Sequence, residues 1–275
     1  MKDRGGDMLI FILILILALF QVTLSDYLVN NPDYYQLDSY TWESDGFRAM
    51  ALGELLSGES SLDPQSVAAM MVEYEYDLTE APSLDANAAS VMAKKPVAFQ
   101  KLVNAYETVL SDLKYFPIPQ NTLDSGTDVV YENGWQDPRS YGEDRGHEGC
   151  DIMGNNQPAG FYPVVSMTDG VIEKAGWLEQ GGWRIGVRAP KGLYLYYAHL
   201  YSYAKDWKEG DPVRAGTLLG FMGDTGYSKV PGTTGNFPVH LHLGMYLHTD
   251  NYEELSINPY WILRYLEKYR LNYTY

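Results

Sequence analysis

An unbroken apolar run over residues 8–20 is the first pattern along the chain, and apolar character continues weakly for a few residues more. A segment of about 17 such residues reaches the short limit of a helix that crosses a bilayer. Because Lys2 and Arg4 precede the run and Asp26 follows it, the charge asymmetry places the amino terminus inside and the remaining chain outside. The pattern predicts an anchor over residues 1–25 that contacts the lipid bilayer.

A cleaved signal peptide is the alternative to this anchor, since Thr23-Leu24-Ser25 puts small residues where a signal peptidase could cut. The anchor is favoured because the apolar run is long for a signal peptide and the cleavage site is weak. Both interpretations export residues 26–275. The expected location is the cell membrane, single-pass with an extracytoplasmic domain, or the exterior after cleavage.

A helical pattern occupies the next part of the chain, residues 26–120. Asp63 suits the cap of a helix whose first residue is Pro64, and apolar residues then recur at a spacing of three to four. Pro96 opens a second helix with one apolar face, which we expect to end at Pro117. The pattern predicts a helical stalk or a small helical subdomain, and nothing in it indicates catalysis.

Short runs typical of β-strands alternate with glycine turns in the second half of the chain. Residues 184–189 and 193–198 flank the turn at residues 190–192 and predict a hairpin. Apolar residues after Pro259 predict a short closing helix. These pieces predict a mostly antiparallel β domain over residues 121–275, preceded by the small α-helical region and the amino-terminal transmembrane helix.

Composition narrows the classes of partner and of metal site. The chain of 275 residues carries 20 Lys+Arg against 36 Asp+Glu, and its net charge of -16 repels phosphates, so we expect no nucleic-acid partner. Cys150 is the only cysteine, which rules out an intramolecular disulfide and a cysteine-rich zinc site. Any metal must therefore be bound by histidine and carboxylate side chains.

Histidines and one aspartate in the predicted β domain stand at spacings that suit a metal. On an extended strand His147 and Asp151 share a face, and Gly149 between them leaves room for an ion. His240 and His242 alternate with apolar residues, which puts both imidazoles on one side of a second strand. Two histidines and one carboxylate are a ligand set typical of catalytic zinc, with a fourth position left for water.

Each of these signals is weaker alone than in combination. The spacing of His147 and Asp151 by itself favours a surface ion pair. The pair His240 and His242 is equally consistent with a metal site and with two histidines that make hydrogen bonds to other protein groups. His199, near the end of the second hairpin strand, is by itself best interpreted as a core or capping histidine. Because all of them fall within one β domain, together they favour a site.

These motifs resemble the lysostaphin/LytM-type zinc peptidases of family M23 over residues 141–259, nearly half of the chain. The resemblance rests on the His-x-x-x-Asp and His-x-His signatures in order and on further blocks at matching spacing. Those blocks are Asp169-Gly170-Val171, Tyr197-Ala198-His199-Leu200, Gly210-Asp211-x-Val213 and Gly223-x-Thr225-Gly226. The fold that the resemblance implies is a lysostaphin/LytM-like β-sheet with a groove.

The resemblance also implies a role for each matching position. His147, Asp151 and His242 match the three zinc ligands of the family. His199 and His240 match the two histidines that do not bind zinc and that act as general base for the attacking water or stabilise the oxyanion. This division is chemically sensible, because an imidazole beside an acidified water suits proton transfer near neutral pH.

Members of the family cleave peptides of bacterial peptidoglycan, so the resemblance implies a zinc-dependent endopeptidase that acts on the cross-bridge or stem peptide outside the membrane. Tyr141 resembles a tyrosine that lines the site in some members and could donate a hydrogen bond to the oxyanion, and a packing role is equally open. The alternative function is a catalytically silent scaffold that recruits or activates another cell-wall hydrolase. The complete set of ligands and histidines favours the enzyme, and a regulatory protein partner is left open.

A few residues near these motifs need separate interpretations. Strand alternation predicts that Cys150 is a buried structural thiol, and Glu148 is expected at the surface. Residues 228–236 are rich in Gly and Thr and should form a loop at the groove rim. His248 is expected to be exposed. Arg145 could meet a substrate carboxylate, although a surface salt bridge is the favoured interpretation.

Overall fold

The structure is a computed structural model, and it describes residues 4–30, 37–38, 40–54, 62–81, 92, 94–139, 141 and 144–275. The described α-helices are α1 (Arg4–Val29), α2 (Asp45–Ala49), α3 (Pro64–Glu73), α4 (Pro96–Leu110) and α5 (Tyr260–Leu266). The strands are β1 (Gln120–Asn121), β2 (Val130–Tyr131), β3 (Pro138–Arg139), β4 (Arg145–Gly146), β5 (Cys150–Met153), β6 (Pro163–Val165), β7 (Gly170–Leu178), β8 (Gly182–Arg188), β9 (Tyr194–Tyr203), β10 (Pro212–Val213), β11 (Leu218–Met222), β12 (His240–Leu247), β13 (Leu255–Ile257) and β14 (Asn272–Tyr273). The mostly antiparallel β domain with a small helical region is confirmed.

Helix α1 contains the apolar amino-terminal segment. Among the described residues, one helix is long and apolar enough to cross a membrane, and its span is Met8–Val29, 22 residues with none buried inside the protein. The helix runs past residue 25, because Asp26 accepts a hydrogen bond from the Asn30 amide at its end. Apolar side chains with no protein to cover them call for another apolar environment.

Helices α3 and α4 form where the prolines predict them. The Asp63 side chain accepts a hydrogen bond from the Ser66 amide, which caps the helix that begins at Pro64. Helix α4 ends at Leu110, earlier than the predicted Pro117. A tertiary contact explains the earlier end. The Lys114 amide donates to the Met167 carbonyl of the β domain at 2.8 Å instead of to a carbonyl of the helix.

The helical region packs directly on the β domain. One hydrophobic core contains the buried face of α4, including Phe99 and Leu102, together with the apolar face of the sheet. Arg48, in the last turn of α2, donates from Nη2 to Ser256 Oγ at 2.9 Å, and its carbonyl accepts from the Asn258 amide at 2.8 Å. These contacts favour a packed subdomain over a free stalk. Residues 31–36, 39, 55–61, 82–91 and 93 of the predicted helical region lie outside the described residues.

A 10-stranded sheet forms the β domain, with the order β10-β7-β8-β9-β12-β5-β2 along its main path. Strands β8 and β9 are antiparallel with Val187 opposite Leu195, so the predicted hairpin is confirmed. Helix α5 confirms the predicted closing helix after Pro259. The central strands β9, β12 and β5 carry the histidines and the aspartate singled out above, so the site lies on the middle of the sheet.

Candidate metal centre

Strand pairing brings together the three side chains that match metal ligands. His242 lies directly opposite Asp151 in the antiparallel pair of β12 and β5. His147 stands three residues before β5 begins, and its ring centroid is 5.0 Å from that of His242. One ligand atom from each of the three lies within 4.8 Å of the others. The residues that sequence reasoning selected as ligands therefore form one cluster.

The separations within this cluster suit a small cation. His147 Nε2 is 3.1 Å from Asp151 Oδ1, His242 Nδ1 is 2.9 Å from the same oxygen, and the two nitrogens are 3.1 Å apart. Zinc bonds of about 2.0–2.2 Å in a tetrahedral site put neighbouring ligands about 3.3 Å apart. Two imidazole nitrogens and a carboxylate oxygen at these distances fit zinc in both spacing and donor chemistry.

Hydrogen bonds behind the cluster orient its members. His147 Nδ1 donates to the Gly134 carbonyl at 3.0 Å, which leaves the Nε2 lone pair facing Asp151. Arg139 Nη2 donates to Asp151 Oδ2 at 2.8 Å and leaves Oδ1 for the cluster. Burial raises the pKa of Asp151, but hydrogen bonds with His147 and His242 outweigh it and hold that pKa well below its usual range. The carboxylate is therefore ionised and ready to bind a cation.

Gly149, which lies between His147 and Asp151, makes room for a different group from the one predicted. A Cβ at Gly149 would lie 2.5 Å from Cε1 of His242 and 2.7 Å from the Leu243 carbonyl oxygen. The missing side chain thus makes room for an imidazole rather than for an ion. The predicted continuous strand is also wrong, because β4 ends at Gly146 and β5 begins at Cys150.

His199 and His240 lie side by side next to the cluster, with ring centroids 4.7 Å apart. Each donates from Nδ1 to a backbone carbonyl at 2.8 Å, His199 to Thr225 and His240 to Pro238. A neutral imidazole that donates at Nδ1 is an acceptor at Nε2. The Nε2 of His240 is 3.7 Å from Asp151 Oδ1. Both rings therefore offer an acceptor nitrogen next to the candidate metal site.

Burial keeps His199 uncharged. Desolvation is the largest cause that lowers the pKa of His199 well below its usual value, and His240 and His242 lower it further. Desolvation also lowers the pKa of His242, although Asp151 opposes that shift. Neutral imidazoles at neutral pH are the form that can bind a metal or accept a proton.

The backbone at His199 is strained, which fixes where its ring goes. Its φ of 62° lies in the left-handed region that few non-glycine residues adopt. The pairing of β9 with β11 shifts register between Phe221 and Met222, opposite this part of the strand. Strain at such a bulge re-aims a side chain and is common at functional sites.

Tyr141 lies in the wall of the same groove. Its ring stacks on Tyr227 with centroids 4.3 Å apart and an interplanar angle of 6°. Its hydroxyl is 3.5 Å from Glu179 Oε1, a long and weak contact. The ring is therefore well placed by stacking, while the hydroxyl is only loosely held.

A groove with a volume of about 890 Å³ contains all of these side chains. The residues predicted to act in the site that line it are Tyr141, His147, Asp151, His199, His240 and His242. Among the further members of its wall that sequence reasoning missed are Arg139, Tyr227 and Phe237. The two aromatic residues flank the predicted loop at 228–236, so their place at its ends was the available signal, whereas nothing local marks Arg139.

Most of the predictions for single residues near the motifs agree with the structure. Cys150 is buried, at 1 % exposure, and burial raises the pKa of its thiol. His248 is exposed, and Glu148 is exposed with an Arg48 nitrogen 3.5 Å from its carboxylate. The prediction of a surface salt bridge for Arg145 is wrong. Within the described part of the chain its guanidinium makes no ion pair, and its Nε is buried without a hydrogen-bond partner.

Comparison with known proteins adds independent information. The sequence profile of peptidase family M23 matches residues 145–258. The L-Ala--D-Glu endopeptidase of Bacillus subtilis (strain 168) is 42% identical over 171 residues, which are 62% of this chain and 49% of that protein, so the chain spans about half of its length. The glycyl-glycine endopeptidase ALE-1 of Staphylococcus capitis is 36% identical over 96 residues, 32% of this chain and 24% of that protein.

A solved structure extends the likeness to nearly the whole chain. The crystal structure from Ruminococcus gnavus ATCC 29149 of a protein assigned as a glycyl-glycine endopeptidase, LytM, superposes with a TM-score of 0.77. The two sequences are 41% identical, and the match covers 88% of this chain and 98% of the other. The helical region and the β domain are thus shared with that protein.

Proposed function

The chain belongs to peptidase family M23, and from that premise we propose that it is a zinc-dependent endopeptidase that hydrolyses peptide bonds of peptidoglycan outside the cytoplasmic membrane. The observation that carries the proposal is the convergence of His147, Asp151 and His242 within 4.8 Å, with two further histidines beside them. Relatives that are named endopeptidases support it. Substrates in the stem or in the cross-bridge both belong to the proposal.

We assign His147 Nε2, Asp151 Oδ1 and His242 Nδ1 as the metal ligands. Zinc at such a site supplies a Lewis acid that makes water more acidic and polarises a peptide carbonyl. The carbonyl of Gly134 and the guanidinium of Arg139 hold two of the three ligands in place. The chain itself contributes the geometry, since its three ligands leave the groove side open to a substrate.

The proton transfers fall to His199 and His240. Each has its Nδ1 proton held by a backbone carbonyl, so Nε2 is free to take a proton from the attacking water and return it to the leaving amine. Tyr141 would donate a hydrogen bond to the oxyanion, and its long contact with Glu179 leaves the hydroxyl free to turn.

The proposed location follows from α1. We propose that the helix is an uncleaved anchor that places the groove on the outer side of the cytoplasmic membrane, close to its substrate. Secretion after cleavage is the alternative, since a signal sequence has the same apolar character.

Metal analysis and a digestion assay on the detergent-solubilised full chain test the proposal. We expect one zinc per chain and release of peptides from peptidoglycan that chelators stop. His242→Ala should lose both, whereas His248→Ala, which changes an exposed histidine outside the groove, should lose neither. A parent chain without stoichiometric zinc would contradict the enzyme. Zinc binding without hydrolysis would instead support the silent scaffold.

A further inference from the structure

Two arginines in the groove each have a buried nitrogen without a hydrogen-bond partner among the described residues. The guanidinium groups of Arg145 and Arg184 make no hydrogen bond or ion pair to any described residue, and one nitrogen of each, Nε of Arg145 and Nη1 of Arg184, is buried. Both residues line the groove that contains the metal cluster. A buried cationic nitrogen without a partner is costly, and a bound anion would offset that cost.

The other cations of the groove are already engaged. Arg139 donates to Asp151 at 2.8 Å, and Lys174 is 3.4 Å from Glu209. Outside the groove, Arg188 makes a bidentate ion pair with Glu173, with N–O distances of 2.6 and 2.7 Å. The lack of partners at Arg145 and Arg184 is a local feature of the groove. The whole chain has 36 acidic against 20 basic residues, so carboxylates are plentiful elsewhere.

Tyr196 links the two arginines to the metal cluster. Tyr196 lines the same groove as Arg145 and Arg184. Burial raises the pKa of its hydroxyl, and the charges of Arg184 and Arg145 both oppose that rise. The Tyr196 ring meets the ring of His242 edge to face at 6.1 Å. The arginines therefore share the groove with a tyrosine whose ring contacts a candidate metal ligand.

Strand order gives the approximate backbone distance from Arg184 to the candidate metal site. Arg184 is on β8, which is separated from the β12 strand of His242 by β9 alone. Two strand spacings of about 4.8 Å put the two backbones about 10 Å apart, or about three residues of an extended peptide. An anion held by Arg184 would therefore belong to a substrate residue within about three positions of the cleaved bond.

We propose that Arg145 and Arg184 form a carboxylate-binding subsite, and that the substrate is an acidic peptide with a free carboxylate near the cleaved bond. This inference rests on the proposed function, because it names the substrate class of the same groove. Arginine suits this task, since its planar fork binds a carboxylate through two hydrogen bonds. A bond between alanine and glutamate in a stem peptide meets the requirement, whereas a bridge made of glycine alone does not.

The test compares two peptides that differ in one group, a stem peptide with the glutamate carboxylate free and the same peptide with that group as carboxamide. With the zinc-loaded full chain we expect kcat/KM to favour the acid by about tenfold or more, the usual size of a charged hydrogen-bond pair. Arg184→Gln and Arg145→Gln should each remove most of this preference, because kcat/KM for the acid should fall much further than kcat/KM for the carboxamide. Arg184→Lys should retain part of it, because it keeps the charge and loses the fork.

A control separates local recognition from net charge. Arg214 is exposed and does not line the groove, so Arg214→Gln removes one positive charge and should leave the preference intact. Equal kcat/KM for the two peptides, or equal losses on both in the arginine variants, would overturn the subsite. A packing role for the arginines predicts the latter result.

Binding measurements keep the subsite testable if hydrolysis fails. Fluorescence anisotropy with both labelled peptides, on the His199→Ala chain, measures recognition without turnover. If the parent chain cleaves neither peptide, the endopeptidase proposal fails, while tighter binding of the acid, lost in Arg184→Gln, still supports the subsite. Equal binding of both peptides rejects the subsite whatever the activity.

Discussion

His199 and His240 differ from the proposed ligand histidines in where their rings lie. Their Nδ1 atoms donate hydrogen bonds to the carbonyls of Thr225 and Pro238, and their rings lie beside the cluster rather than within it. Replacing either by alanine should lower turnover by about 10²–10⁴-fold, the usual contribution of a general base, with zinc retained. Metal content and peptide release, measured on the same samples, check this expectation.

The matched variant is His147→Ala, which removes a proposed ligand and should lose zinc together with activity. Equal metal loss from all three variants would show that the division between ligand and proton-transfer histidines is wrong.

Gly149 offers a second prediction at the scale of one residue. Gly149→Ala places a methyl group 2.5 Å from the His242 ring and 2.7 Å from a backbone oxygen, so the ring must move. We expect zinc affinity to fall by about 10–100-fold, as for the loss of groups that orient ligands. Competition with a chromophoric chelator measures it. Gly126→Ala, whose nearest neighbour is a movable side-chain oxygen at 3.1 Å, should bind zinc normally.

At the scale of elements, α4 fixes the helical region to the sheet. Phe99 is 1% exposed in the shared core, so Phe99→Ala should lower the free energy of unfolding by about 3–5 kcal/mol. Val97 lies on the same helix at 71% exposure, so Val97→Ala should change the free energy of unfolding little. Urea unfolding followed by circular dichroism compares the two variants. Similar midpoints for both would mean that the helix does not share the core.

Local elements were predictable where their causes are local. The cap at Asp63, the start at Pro96 and the hairpin turn at residues 190–192 all depend on neighbours in sequence. The end of α4 was not, because the hydrogen bond from Lys114 to Met167 crosses between distant parts of the chain.

The same distinction applies to the site. Alternation of apolar and polar residues placed His240 and His242 correctly, since each is read within its own strand. The ion pair of Arg139 with Asp151 and the contact of Gly149 with the His242 ring depend on how separate strands meet, and no short-range pattern encodes them.

At the scale of the whole molecule, the fate of α1 distinguishes the two proposed locations of the groove. If the helix is an uncleaved anchor, the chain should stay with the membrane fraction after an alkaline wash and keep its full mass. Cell fractionation with intact-mass measurement checks both. A soluble species shortened by about 25 residues would instead indicate a signal peptide.

The core shared by the helical region and the sheet also bears on how the protein can be divided. A fragment that starts at residue 121 would lose α4, and it would break the pairing of Gln120 with Asn272 that ties β1 to β14 near the carboxyl terminus. The uncovered apolar surface would then favour self-association. Recombinant forms that omit only the amino-terminal helix should remain monodisperse, whereas the isolated sheet should precipitate.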